Sequence, residues 1–140
     1  MHKRDFPIHG DIQLSVEGRL LIIEGSGPAN LEAVLCYQRE AQRYRDRLNP
    51  HPWGSLVLLK GEPLLPPEAK SLLIDTIKFA CTQSLVATAV VFMDVKHANT
   101  IRFFWDSIYA NTTLPHAFFD QQTVAREWLQ QRIELASNTA

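Results

Sequence analysis

The residues best suited to chemistry fall in three short stretches: GSGPAN with Gly25 and Gly27, KGEPLLPPE with Lys60 and Glu62, and DVKHAN with Asp94, Lys96 and His97. An aspartate and a histidine can share acid–base work, because imidazole titrates near neutrality. Spacing alone does not bring Asp94 and His97 together, and Asp94 or Asn99 is equally suited to cap a following helix. Lys60 is a candidate anion contact. A nucleophile needs Ser, Cys or Thr beside a base, and KGEPLLPPE contains none of these. Glycines before a helix start let a backbone approach a phosphate. A dinucleotide fingerprint would want a third glycine where Asn30 stands, and Pro28 removes an N–H donor.

Metal and covalent chemistry find little support. Cys36 and Cys81 form no CxxC pair, and His2, His9, His51, His97 and His116 show no ligand spacing. The cysteines read as buried reduced thiols. The GxSxG elbow of a serine hydrolase is missing. No metal or cofactor is therefore expected, and a non-enzymatic chain is favoured over an enzyme using Asp94 and His97.

Surface candidates are of another kind. Arg39, Arg43 and Arg47 recur every four residues and form one helical stripe, with Arg45 beside it. The stripe is either a solvated face or a docking patch for an acidic partner or anionic lipid. Phe103 points away from the line Ile101, Phe104, Trp105 and Ile108, which makes it a candidate contact for self-association or a protein partner. Leu64 and Leu65, held between prolines, either cover the end of a sheet or face a partner. Trp128 and Tyr109 read as core or core-edge residues.

The elements that carry these residues follow from periodicity. Ile12, Leu14 and Val16 alternate with polar residues, a turn follows at Glu17-Gly18, and Arg19 to Glu24 resumes as a second strand of a hairpin. A helix then spans Leu31 to Leu48, with Pro28 at its entrance, and ends before Asn49-Pro50. SLVLLK and VATAVVFM are continuous apolar runs, the mark of strands covered on both faces. Helices follow them from Pro66 and over Ala98 to Ala110. His116 to Phe119 is a last strand, and Asp120 a candidate cap for a last helix. The order is β-β-α-β-α-β-α-β-α. It predicts a single α/β domain with a mostly parallel five-stranded sheet, the first strand antiparallel and the helices as crossovers.

Bulk properties set limits. A length of 140 residues suits one domain, with its core over about 10–133 and frayed termini. Hydrophobic residues make up 46% and charged residues 21%, ordinary values for a globular chain. A net charge of −1 argues against nucleic-acid binding by counterion release. MHKRDFPIHGD lacks the apolar segment of a signal peptide, and no apolar run spans a bilayer, so a cytoplasmic protein without stable membrane insertion is expected.

The element order, with VATAVVFMDVKHANTIRFFWDSIY and PHAFFDQQTVAREWL, resembles the STAS superfamily in its SpoIIAA-like branch. The resemblance covers roughly residues 10 to 133. It implies the same hairpin-led fold and roles in protein interaction. Anti-sigma factor antagonists of that superfamily carry a phosphorylatable serine in a DSxG-type turn after the third strand. KGEPLLPPE holds no Asp-Ser pair there, and Ser71, the nearest serine, lies a turn inside the next helix. The fold also resembles lipid carriers of the Sec14 type. The leading expectation is a domain acting through an unknown protein partner or as a homodimer. The alternative is a carrier or sensor for a small apolar or anionic ligand held at the strand carboxyl ends by Gly25, Gly27, Lys60, Asp94, Lys96 and His97.

Overall fold

The computed structural model describes residues 11–138; the basic N-terminal segment, with His2 and His9, lies outside them. Strand β1 (Asp11–Glu17) pairs antiparallel with β2 (Leu20–Ser26). Then come α1 (Leu31–Leu48), β3 (Trp53–Gly61), α2 (Pro67–Cys81), β4 (Leu85–Val95), α3 (Ala98–Tyr109), β5 (His116–Phe119) and α4 (Gln122–Asn138). The sheet order is β1-β2-β3-β4-β5, with every pairing after the first parallel. Each crossover helix thus returns the chain to the adjacent position, and runs antiparallel to the strands it joins.

Because side chains alternate across a strand, the two faces of the sheet hold separate cores. Leu21, Val57, Leu59 and Val90 pack against α1, α2 and α3. Leu20, Ile22, Leu56, Leu58, Ala89 and Val91 pack against α4, which buries Ala125, Leu129 and Ile133. Gly54 lets α4 settle close to the sheet, since a Cβ there would stand 3.1 Å from Leu129 Cδ2.

Local differences from the periodicity have physical reasons. Asn30 is the N-cap of α1, accepting the Ala33 amide at 2.9 Å, so the helix starts after Pro28-Ala29. Leu31 and Leu35 are 36% and 37% exposed, because the inward line of α1 is Val34, Ala41, Arg45 and Leu48. His97 occupies the N-cap of α3 in the left-handed region, with no side-chain cap bond, so neither Asp94 nor Asn99 caps it. The first bond of α4 runs from the Ala125 amide to the Gln121 carbonyl, which puts Asp120 one residue short of the cap. That helix continues to Asn138, its Ser137 hydroxyl donating to the Ile133 carbonyl. Strands β3 and β4 outrun their apolar runs at both ends, because their pairing extends from Trp53–Leu85 to Gly61–Val95. Among the described residues, no helix is long and apolar enough to cross a membrane.

Candidate functional site

A cavity of about 90 Å³ lies between the sheet and the three-helix layer. One water needs roughly 10–15 Å³ on this scale, so the space exceeds a packing defect. Strand β3 lines it along its length with Trp53, Ser55, Val57 and Leu59. Six residue steps at about 3.3 Å make this span roughly 20 Å. Helix α1 contributes Val34, Tyr37 and Arg45, α2 contributes Leu73, Ile77 and Ala80, and α3 contributes Trp105 and Tyr109. The rim at the strand carboxyl ends is formed by Gly25, Ser26, Gly27, Pro63, Leu64 and Leu65.

Tight bonding holds that rim. The Gly27 amide donates to the Lys60 carbonyl at 3.1 Å, the Ala29 amide to Leu64 at 3.0 Å, and the Lys96 amide to Gly61 at 2.9 Å. Trp105 Nε1 donates to the Pro63 carbonyl at 2.8 Å, tying α3 to the same loop. Leu64 is 38% exposed and Leu65 half-buried, so the leucine pair forms part of the mouth.

The opposite end of the cavity holds its charge. Arg45 lies near the C-terminus of α1, at the amino ends of the strands, and is 2% exposed. Its Nη2 donates to Gln42 Oε1 at 2.8 Å, and its guanidinium lies 6.0 Å from the centre of the Phe79 ring. Its Nε is the only buried side-chain nitrogen or oxygen without a partner among the described residues. None of the ion pairs among those residues includes Arg45. Desolvation pulls the Arg45 pKa down, while Tyr37 and Asp46 push it back up. Burial raises the Tyr37 phenol, against the pull of Arg45. Burial also raises Tyr109, and Tyr37 adds to that shift. Tyr37 thus interacts with Arg45 and with Tyr109 in a mainly apolar chamber. Ser55 and Thr88 add buried hydroxyls to its wall.

The residues singled out in the sequence divide around this chamber. Gly25, Gly27, Leu64 and Leu65 line its mouth. Lys60 stands in register with Ser26 on one side and Asp94 on the other, exposed at the sheet's end. Lys96 is exposed as well. His97 faces Glu62 rather than Asp94: Nε2 lies 3.4 Å from Glu62 Oε2, with both side chains open to solvent. Arg39, Arg43 and Arg47 are exposed on α1, and Phe103 is 79% exposed on α3. Cys36 and Cys81 are free and half-buried. No group of three or more His, Cys, Asp or Glu able to hold a metal occurs among the described residues.

The signal for the chamber lay in α1. Val34, Tyr37, Ala41, Arg45 and Leu48 follow one another at three- and four-residue steps, so an arginine occupies a position whose period calls for a core residue. Serine and threonine inside SLVLLK and VATAVVFM were the matching sign on the sheet.

No family model matches the chain, and no curated protein does. A crystal structure of an uncharacterised protein of the DUF3478 family from Shewanella loihica, with a SpoIIAA-like fold, is similar over 92% of this chain and 98% of its own. The identity is 18% and the TM-score 0.54. The chain therefore has a SpoIIAA-like fold.

Proposed function

We propose that this chain is a binding protein, without catalytic activity, for a small and mainly apolar ligand that enters at the strand carboxyl ends. The observation that carries this is the elongated chamber between the sheet and α1–α3, lined at the strand carboxyl ends by Gly25, Gly27, Leu65 and the exposed Leu64. Ligand sites are typically concave and mostly apolar, with a few placed polar groups. The neutral fluorophore N-phenylnaphthylamine tests it. The protein should enhance its fluorescence saturably with one site per chain. Ser55→Leu and Ala80→Leu, which grow apolar side chains into the chamber from opposite walls, should abolish that signal while the protein stays folded by circular dichroism. Absence of saturable binding, or equal binding by both folded variants, would count decisively against a ligand chamber.

A second reading, self-association or docking of a protein partner, is favoured by Phe103 on the outer side of α3. Sedimentation of the native chain and of Phe103→Ala decides it. A dimer that the substitution dissociates supports the contact, and a native monomer or an unchanged dimer removes self-association through Phe103.

A further inference from the structure

We infer that the chamber selects a singly charged amphipathic anion, a medium-chain carboxylate, whose head group meets Arg45 and whose chain runs toward the mouth. The carboxylate assignment rests on the chamber being a ligand site. A buried cation is ordinarily paired, because removing it from water is costly. Arg45 is 2% exposed, forms no ion pair among the described residues, feels Asp46 only without direct contact, and keeps its Nε unpartnered while it lines the chamber. A guanidinium edge matches the two oxygens of a carboxylate in geometry and charge. Gln42 already holds Nη2 at 2.8 Å, which orients the fork.

Charge balance narrows the class. The one cation of the chamber is neutralised by a monoanion. A phosphate monoester carries about −1.5 to −2 at neutral pH and would leave excess negative charge buried. Burial raises the Tyr37 and Tyr109 phenols, so both add hydroxyl donors to the chamber lining. The remaining lining is dominated by Val, Leu, Ile and Trp side chains, which suit an alkyl chain. The narrow volume of about 90 Å³ suits one chain rather than a two-chain lipid.

Competition against N-phenylnaphthylamine tests the head group separately from the chamber, using decanoate, decanol and decyl phosphate. Decanoate should displace the fluorophore at about tenfold or more lower concentration than decanol, the weight of one charge-assisted hydrogen-bonded pair. Decyl phosphate should be weaker than decanoate. Arg45→Met should bring decanoate to the level of decanol, each measured against the fluorophore's own affinity for that variant. Tyr37→Phe/Tyr109→Phe, which keeps Arg45 in place, should reduce the preference for decanoate over decanol and stands in if Arg45→Met does not fold. Equal displacement by decanoate and decanol in the native protein overturns the carboxylate assignment and leaves the apolar chamber intact. So does stronger displacement by decyl phosphate. Failure of the fluorophore itself to bind overturns both.

Discussion

At the scale of single residues, Tyr37 and Tyr109 set a measurable alkaline limit. Burial, the largest cause, raises both phenols above the ordinary value of 10.0. A phenol raised on folding favours the protonated native state. The unfolded chain begins to lose these protons as pH passes about 10, while the folded chain retains them. Stability is therefore fully present below that pH and declines as pH rises above it. Urea unfolding across this range should give a falling midpoint in the native protein and a shallower fall in Tyr37→Phe/Tyr109→Phe. Identical slopes would show that the phenols are not desolvated. These residues were only half legible in the sequence. Helical spacing predicted a core or core-edge position for Tyr109 and left Tyr37 unassigned. Tyr37 and Arg45 share one stripe of α1, but the approach of Tyr109 to Tyr37 depends on how α1 and α3 meet across the sheet, which spacing along either helix does not contain.

At the scale of elements, the mouth depends on backbone rather than on the side chains that first drew notice. Gly61 ends β3 with φ +75°, and a Cβ there would stand 3.3 Å from the Gly27 amide nitrogen. That amide is the donor to the Lys60 carbonyl, so the two glycine loops can approach only with no side chain between them. Gly61→Ala should cost about 1–3 kcal/mol through strain in the left-handed region, and more if the loops part. Denaturant unfolding measures the loss, and faster amide exchange at Gly27 would locate it. A loss below about 0.5 kcal/mol would mean that the contact is not constraining. KGEPLLPPE was legible as a strand, turn and helix start because the apolar run stops at Lys60 and prolines open α2. That it forms a chamber mouth was not, since neither the ladder from Lys60 to Asp94 nor the bond from Gly27 is local in sequence. The same loop explains why His97 meets Glu62: the Lys96 amide bonds the Gly61 carbonyl and draws the start of α3 over KGEP.

At the scale of the whole molecule, the two faces of the sheet play different parts. One helix, α4, closes one face with a continuous core, aided by the missing side chain at Gly54. Three helices share the other face, and their axes leave the chamber where small Ala80 and polar Ser55 and Thr88 line it. The β-β-α-β-α-β-α-β-α order was legible because each element has a clear period and clear breakers. Strand order and the chamber were not, because both are sums over distant segments. The chamber also makes global stability a readout of occupancy, since a ligand bound only by the native state stabilises it by mass action. Decanoate at about 100 times its dissociation constant should add roughly 2.7 kcal/mol, a rise in melting temperature on the order of 10 °C for a chain of this size. Decanol at the same concentration should give a much smaller rise in the native protein. In Arg45→Met the two should coincide. That variant alone isolates the charge, because it removes the guanidinium while leaving an unbranched side chain along the chamber wall. If decanoate raised the melting temperature of native protein and Arg45→Met equally, its carboxylate would be meeting solvent, with its chain turned inward.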